Sequence, residues 1–295
     1  MAKSKNKLQD ATRRKFLQKV GVAGVAAIGS PTIAFSQEKS KRIKVLNQNN
    51  ELVEVDVSSV YPIKGTKQEQ TSYLQKRGRK GLPNRKFVMV VDLAKCKNAR
   101  KCMTSCQSAH QLRPEQHHIN VLEMKDDTNG QTYYMPKPCQ HCDNPPCVTV
   151  CPVDATFKRS DGLVLIDNER CIGCRFCIAA CPYSARSFNW LEPKDADKYK
   201  DQPYDIEKNV PQKKGTVTKC VFSADQLREN ELPYCVSACP NGVYYFGDAN
   251  EDLVTNGTTR QTVRLSKLLK ENAAYTLMKE LGTKPSVYYL PPRNS

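Results

Sequence analysis

Fourteen cysteines, all lying between Cys96 and Cys239 and falling into four spaced groups, are the residues of this chain best suited to chemistry. The third group is Cys171, Cys174, Cys177 and Cys181, followed by Pro182. That is the C-x2-C-x2-C-x3-C-P run in which three cysteines hold one iron–sulfur cubane and the fourth reaches a neighbouring one. The second group, Cys139, Cys142, Cys147 and Cys151 with Pro152, repeats it with a longer gap before its third cysteine. Iron in such a cluster takes soft thiolate donors, and two residues between cysteines let a short loop turn its sulfurs toward one centre. Two runs of this kind complete each other. Cys139, Cys142, Cys147 and Cys181 are expected to hold one [4Fe–4S] cluster, and Cys171, Cys174, Cys177 and Cys151 its partner. The alternatives are zinc sites and disulfides, but zinc sites usually come as two C-x2-C halves rather than interlocking four-cysteine runs. His141, inside the second run, is expected beside the ligands or exposed. No C-x2-C-H string is present, which argues against covalent haem of the common c type.

The first and fourth groups are the same run with one ligand position changed. The first reads Cys96, Ala99, Cys102, Cys106, and the fourth reads Cys220, Ser223, Cys235, Cys239 and Pro240. Four motifs in this order, the last with a long insert before its third cysteine, resemble the four-cluster electron-transfer subunit of membrane-bound respiratory oxidoreductases. That family includes the iron–sulfur subunits of dimethyl sulfoxide, polysulfide, thiosulfate and tetrathionate reductases, and the ferredoxin-like subunit of the formate-dependent nitrite reductase system. The stretch "PCQHCDNPPCVTVCPVDATFKRSDGLVLIDNERCIGCRFCIAACPYSAR", residues 138–186, carries the resemblance most densely, and the likeness extends over roughly residues 87–290.

The resemblance implies that the first motif pairs with the fourth. One outer site would then have Cys96, Cys102 and Cys239, and the other Cys220, Cys235 and Cys106. Each lacks one ligand, and three thiolates suit a [3Fe–4S] cluster, so two [4Fe–4S] and one or two [3Fe–4S] clusters are expected. Ala99 offers no donor, and Ser223 offers only a hard, weakly acidic hydroxyl. The competing reading is that one or both outer clusters are lost and their cysteines are ordinary buried residues. The family also implies a polytopic, quinone-interacting membrane subunit and a molybdopterin or multihaem catalytic subunit as partners. A free-standing periplasmic polyferredoxin is the alternative. No catalytic site of the chain's own is expected: there is no P-loop, dinucleotide fingerprint or serine elbow, and the four histidines (His110, His117, His118, His141) show no compelling metal pattern.

The amino terminus bears on the compartment. Adjacent Arg13 and Arg14, with Phe16 and Leu17 just beyond and the apolar run Val20 to Phe35, read as a twin-arginine export signal over residues 1–36. The run is too short and too rich in glycine to span a membrane. Folded export suits a protein whose clusters must be inserted in the cytoplasm. The chain is therefore expected on the periplasmic face of the cytoplasmic membrane, peripheral, touching the membrane through a partner only. Net charge is +16, and residues 37–86 form a basic arm with twelve basic against five acidic residues. In an exported chain nucleic acid is a poor fit, leaving a partner subunit, the chain's own acidic body, or a merely solvated linker from Gln75 to Lys86.

The elements that must position these groups read as an α+β fold: two pseudo-repeated double-cluster ferredoxin-like modules with inserted short strands and loops. Residues 42–57 suggest a hairpin within the arm. Strands are expected at Lys86–Leu93, Gly162–Asp167 and Val243–Asp248, and an edge strand within Pro285–Pro292. The polar segment Leu191–Lys219 reads as a loop-rich insertion on the partner-facing side, and Arg264–Leu281 as an amphipathic helix. The domains are thus a signal (1–36), the arm (37–86), the four-motif cluster domain (87–250) and a C-terminal helix and tail (251–295).

Overall fold

A computed structural model describes residues 65–126, 130–193 and 195–292, together with the backbone of two strands at 42–46 and 52–56. The export segment 1–36 lies outside the described residues, as does the polar stretch 47–50 between the two strands. The chain divides into two units, Met1–Pro62 and Ile63–Ser295. Of the first, β1 (Arg42–Leu46) and β2 (Leu52–Asp56) are described; they pair antiparallel with Arg42 opposite Asp56 and Leu46 opposite Leu52.

The second unit opens with α1 (Lys67–Arg79) and β3 (Phe87–Asp92). There follow α2 (Lys101–Ala109), the paired β4 (Asn120–Lys125) and β5 (Thr132–Lys137), α3 (Pro146–Thr149), and the paired β6 (Thr156–Lys158) and β7 (Val164–Ile166). Next come α4 (Phe176–Ala179), β8 (Arg186–Phe188), α5 (Ala196–Tyr199), β9 (Val217–Lys219), α6 (Ala224–Arg228) and α7 (Tyr234–Ala238). The chain closes with β10 (Tyr244–Asp248), β11 (Leu253–Asn256), β12 (Thr262–Arg264), α8 (Leu265–Glu271) and β13 (Val287–Leu290). The largest sheet has the order β12-β11-β10-β3-β13, antiparallel except for the parallel β3–β13 edge. Four of the five strand stretches expected from sequence are found here and in β7; the fifth is the β1–β2 ladder.

β3 is apolar on both faces because both are covered. Phe87, Met89 and Val91 join the core that contains five of the cysteines, while Val88 and Val90 pack with Val254, Leu265 and Leu290 on the other side. Sulfur-bearing loops therefore lie on one face of the sheet and α8 on the other.

Charge rather than apolar burial docks α1. Thr66 and Glu69 close a capping box at its start, and basic residues fill its last turn. Arg79 Nη1 lies 2.9 Å from Asp154 and Nη2 3.6 Å from Asp167, and Arg77 lies 3.4 Å from Glu207. Gly78 is the buried residue of the helix, where a Cβ would come within 1.9 Å of Ile206. Of the readings open for the basic stretch, the solvated linker is corrected: this part of it lies on the chain's own acidic groups.

Two further expectations need correction. The C-terminal helix runs only from Leu265 to Glu271. Asn272 donates from its side chain to the Leu268 carbonyl, Ala273 turns left-handed, and Tyr275 leaves to bridge Tyr289. The segment Leu191–Lys219 is loop-rich, but its second half is interior. Tyr204, Ile206, Glu207, Asn209 and Val210 are all buried, and their polar atoms are bonded inside the unit. Glu207, Asn209, Gln212, Thr216 and Thr218 form a buried network, which composition cannot distinguish from a solvated loop.

At the centre of that network Arg159, fully buried, donates to Glu207 at 2.6 Å and grips Asp161; Arg228 donates to Glu207 at 2.6 and 2.7 Å. Removing one member of such a set leaves uncompensated buried charge. Arg159→Met is expected to lower stability by roughly 3 kcal/mol or more, read as a lower thermal midpoint of the cluster-loaded protein; an unchanged midpoint would refute this account.

Candidate functional site: a row of cysteine sites

The four cysteine groups share one local fold. In each, the residue two places after the first cysteine is left-handed: Asn98 (φ 54°), His141 (φ 42°), Gly173 (φ 72°) and Phe222 (φ 54°). Such a turn points successive backbone N–H groups into a common hollow, which favours an anion. At Gly173 the close approach is also demanding, since a Cβ would meet the Gly215 carbonyl oxygen at 2.2 Å. The third cysteine of each group then sits in a short helix: Cys102 in α2, Cys147 in α3, Cys177 in α4 and Cys235 in α7, all buried. The fourth cysteine follows four positions later, about one 5.4 Å turn further along, and so serves a different hollow. Proline after Cys151, Cys181 and Cys239 ends the turn there. Gln107 follows Cys106 instead, and α2 runs on to Ala109.

All fourteen cysteines are unpaired thiols. They converge as four sites. Cys151, Cys171, Cys174 and Cys177 line the first, a cavity of about 290 Å³. Cys139, Cys142, Cys147 and Cys181 line the second, about 320 Å³. Cys96, Cys102 and Cys239 line another of about 280 Å³, with Ala99 in its wall; this is the fourth site. The third is formed by Cys106, Cys220 and Cys235, all buried. Burial raises these thiols, Cys220 to about 11 and Cys106 and Cys235 well above the usual range, and the neighbouring sulfurs add to it. Cys142, in the second site, is pushed up to about 12 by burial and by Cys139. Thiols held this high are protonated until a metal displaces the proton.

These residues fit iron–sulfur clusters. The first and second sites offer four sulfurs each and no imidazole or carboxylate. Donors are aimed inward. The Ala155 N–H reaches Cys151 Sγ at 3.2 Å. Tyr244 has a buried hydroxyl without an oxygen or nitrogen partner, lying against Cys102. A cluster would bring negative charge, and buried cations meet it. Lys219, 1% exposed, places Nζ 3.6 Å from Cys139 Sγ, and Arg186 sits beside the Cys147 and Cys177 sulfurs.

The same neighbours order the sites. Cys147 is close enough to raise the proton affinity of Cys177, linking the second site to the first. Cys139 acts likewise on Cys220, linking the second to the third, and Cys102 on Cys106 and Cys235, linking the third to the fourth. The thiols thus run in a row from the first site, with exposed Cys174, through the buried third site to the fourth, where Cys96 is half-buried.

His141 is buried rather than exposed. It accepts the Val164 N–H at Nδ1, hydrogen-bonds the Cys220 carbonyl through Nε2, and stacks on Phe222 at 3.8 Å. It ties the second motif to the fourth. The expectation of no metal pattern among the histidines is corrected too: ring nitrogens of His110 and His118 and the Cys106 sulfur lie within 4.8 Å of one another. The Cys106-x3-His110 spacing on one helix was the available signal; His118 joins only through the fold. Arg186, Lys219 and Tyr244 had no sequence signal as cluster neighbours.

These features define a multi-cluster iron–sulfur protein. The 4Fe-4S dicluster domain model matches residues 130–199, which take in all eight cysteines of the first and second sites. A selenate reductase subunit of Mesobacillus selenatarsenatis is 34% identical over 96% of this chain and 98% of its own. A tetrathionate reductase subunit of Salmonella typhimurium is 34% identical over 71% and 74%, and the iron-sulfur cluster-binding subunit of menaquinone reductase of Nitratidesulfovibrio vulgaris is 34% identical over 70% and 88%. The chain belongs to this family of iron–sulfur subunits of reductase complexes.

A cation beside a cluster favours the reduced, more negative state. Arg186→Leu is therefore expected to lower the potentials of the first and second sites by on the order of 100 mV, measured by redox titration followed by electron paramagnetic resonance. Unshifted potentials would refute the role given to Arg186.

Proposed function

We propose that this chain is the electron-relay subunit of an exported respiratory complex. It passes electrons along its row of clusters between a quinone-interacting membrane subunit and a molybdopterin or multihaem catalytic subunit. The observation that carries this reading is the left-handed turn kept in all four groups, at Asn98, His141, Gly173 and Phe222. Asn98 and Phe222 hold it in the groups that have lost a cysteine, where an ordinary buried loop would have no use for it. Two cubanes then occupy the first and second sites, through Cys151, Cys171, Cys174 and Cys177 and through Cys139, Cys142, Cys147 and Cys181. A three-iron cluster occupies the fourth, through Cys96, Cys102 and Cys239, because Ala99 leaves one corner without a donor. Cys106, Cys220 and Cys235 hold a cluster in the third. Each pair of groups corresponds to one double-cluster ferredoxin-like module. When bound, the clusters supply one-electron carriers, and the protein sets their potentials through N–H···S contacts, buried cations and exposure. A three-iron cluster in the row suits a fairly oxidising couple.

The row needs a docking point, and the edge near Cys174 has the chemistry of one. Ile172, Phe176 and Trp190 are 60–64% exposed around it, and Arg175 lies over the Trp190 ring. Exposed apolar clusters of this kind mark interaction sites. Tetrathionate reductase and menaquinone reductase are named as complexes in which relatives serve as subunits, which favours a fixed complex over a free-standing carrier. Among the described residues no helix is long and apolar enough to cross a membrane, so membrane contact is assigned to a partner.

Two measurements test this reading. Iron and sulfide analysis with electron paramagnetic resonance of the anaerobically purified, oxidised complex is expected to show a near-isotropic three-iron signal that vanishes on reduction. About eight irons per chain without that signal would leave only two clusters and end the four-site relay. Exchanging Arg13 and Arg14 for lysine is expected to leave the chain in the cytoplasm with its clusters intact; periplasmic protein in the fractionated variant would remove the twin-arginine assignment.

A further inference from the structure

The cavity of the fourth site is walled by two unlike residues besides its cysteines. Ala99, where a ligand is missing, is exposed and offers only a methyl group. Tyr244 is 1% exposed, and its hydroxyl is buried without a hydrogen-bond partner. The three other buried tyrosines among the described residues are all partnered. Tyr183 meets Thr283 Oγ1 at 2.5 Å, Tyr204 donates to Asn209 Oδ1 at 2.7 Å, and Tyr289 accepts from Gln140 Nε2 at 3.1 Å. A hydroxyl taken out of water with nothing to donate to keeps its full desolvation penalty. What surrounds the Tyr244 hydroxyl instead is sulfur: Cys102 and Cys239, which line the same cavity, and Cys235 of the third site.

The phenol is held there by its strand. Tyr244 opens β10 opposite Val91, and its carbonyl accepts the Gly257 N–H at 3.1 Å. Gly257 is in turn pressed against α7, since a Cβ on it would meet the Val236 carbonyl oxygen at 2.1 Å. Phe246, two residues on and so on the same face, stacks on Phe87 at 5.8 Å and meets the Phe222 ring edge-on at 5.4 Å. The ring therefore has no free path to water, and the acceptor its hydroxyl requires must lie in the cavity.

We propose that the Tyr244 hydroxyl donates a hydrogen bond to a sulfur of the cluster in the fourth site and thereby raises the potential of that cluster. The inference rests on the reading that Cys96, Cys102 and Cys239 hold a three-iron cluster. Reduction places more negative charge on the sulfurs, and a hydrogen bond to a more anionic acceptor is stronger. Burial sharpens the difference, because no water competes for the donor. Tyr244 is not a ligand. Its effect is to favour the reduced state at the end of the row opposite Cys174, so that an electron moving along the row is held more firmly there.

The test uses the whole complex, purified anaerobically. The three-iron signal is titrated against potential in the wild type and in Tyr244→Phe, which removes one oxygen and keeps the ring that fills the core. The expected result is a signal of unchanged intensity whose midpoint moves to lower potential, with the midpoints of the first and second sites unmoved. A midpoint that stays in place would overturn the proposal, as would equal shifts at all sites. A second readout needs no variant. Cells are fed tyrosine carrying 17O in its hydroxyl, and the oxidised complex is examined by electron–nuclear resonance. Tyr244 is the one tyrosine lining that cavity, so a weak 17O coupling on the three-iron signal is expected, and its absence would overturn the hydrogen bond. A full three-iron signal with neither the shift nor the coupling would overturn this inference alone. No three-iron signal in the wild type would overturn the cluster reading beneath it as well.

Discussion

A thiolate that is to hold iron away from water has to be carried into the protein, and burial opposes its charge. Much else in the structure follows from managing that cost. Cys106 and Cys235 are driven well above the usual thiol range, and Cys142 to about 12, by desolvation and by neighbouring sulfurs. Sites like these release protons when they take up metal, and the metal then becomes part of the interior. Five cysteines belong to the main apolar cluster beside Met89, Val91 and Tyr244, and Cys96 packs against it. The clusters and their ligands complete a core that the side chains alone leave hollow.

Compensation comes in three forms. Backbone N–H groups are gathered by the left-handed turn that recurs in every group. The buried cations Lys219 and Arg186 stand at the junctions between neighbouring sites, where each meets more than one sulfur environment. Donors without other partners, such as the Tyr244 hydroxyl, are left facing sulfur. A cation at a junction would act on the groups bound at both neighbouring sites at once.

The basic residues that make the chain so positive also have local work. Arg77 and Arg79 bring α1 down onto Glu207, Asp154 and Asp167, and Arg159 and Arg228 complete the network beneath it. Acidic side chains that would raise the charge cost of an anionic row are thereby neutralised before they can act on it. The helix could not dock in this way as an apolar element; its only buried residue is Gly78.

The sequence by itself determined the chemistry. Cysteine spacing is a local property, and loops of two or three residues admit few ways to turn sulfurs inward, so the groups were legible with Ala99 and Ser223 marking the missing ligands. The central strands were legible for a similar reason: β3, β10 and β13 are short apolar runs bounded by polar residues. Tertiary structure alone decided what depends on residues far apart in the chain. It set the order of the sites, which turns on Cys139 meeting Cys220. It placed Arg186 and Lys219 between sulfurs, showed the stretch around Glu207 to be interior, and stopped α8 at Glu271. It also carried His118 to the side of Cys106. None of these has a period or a spacing to betray it, because each is fixed by packing across the fold and by where a buried charge can find its partner.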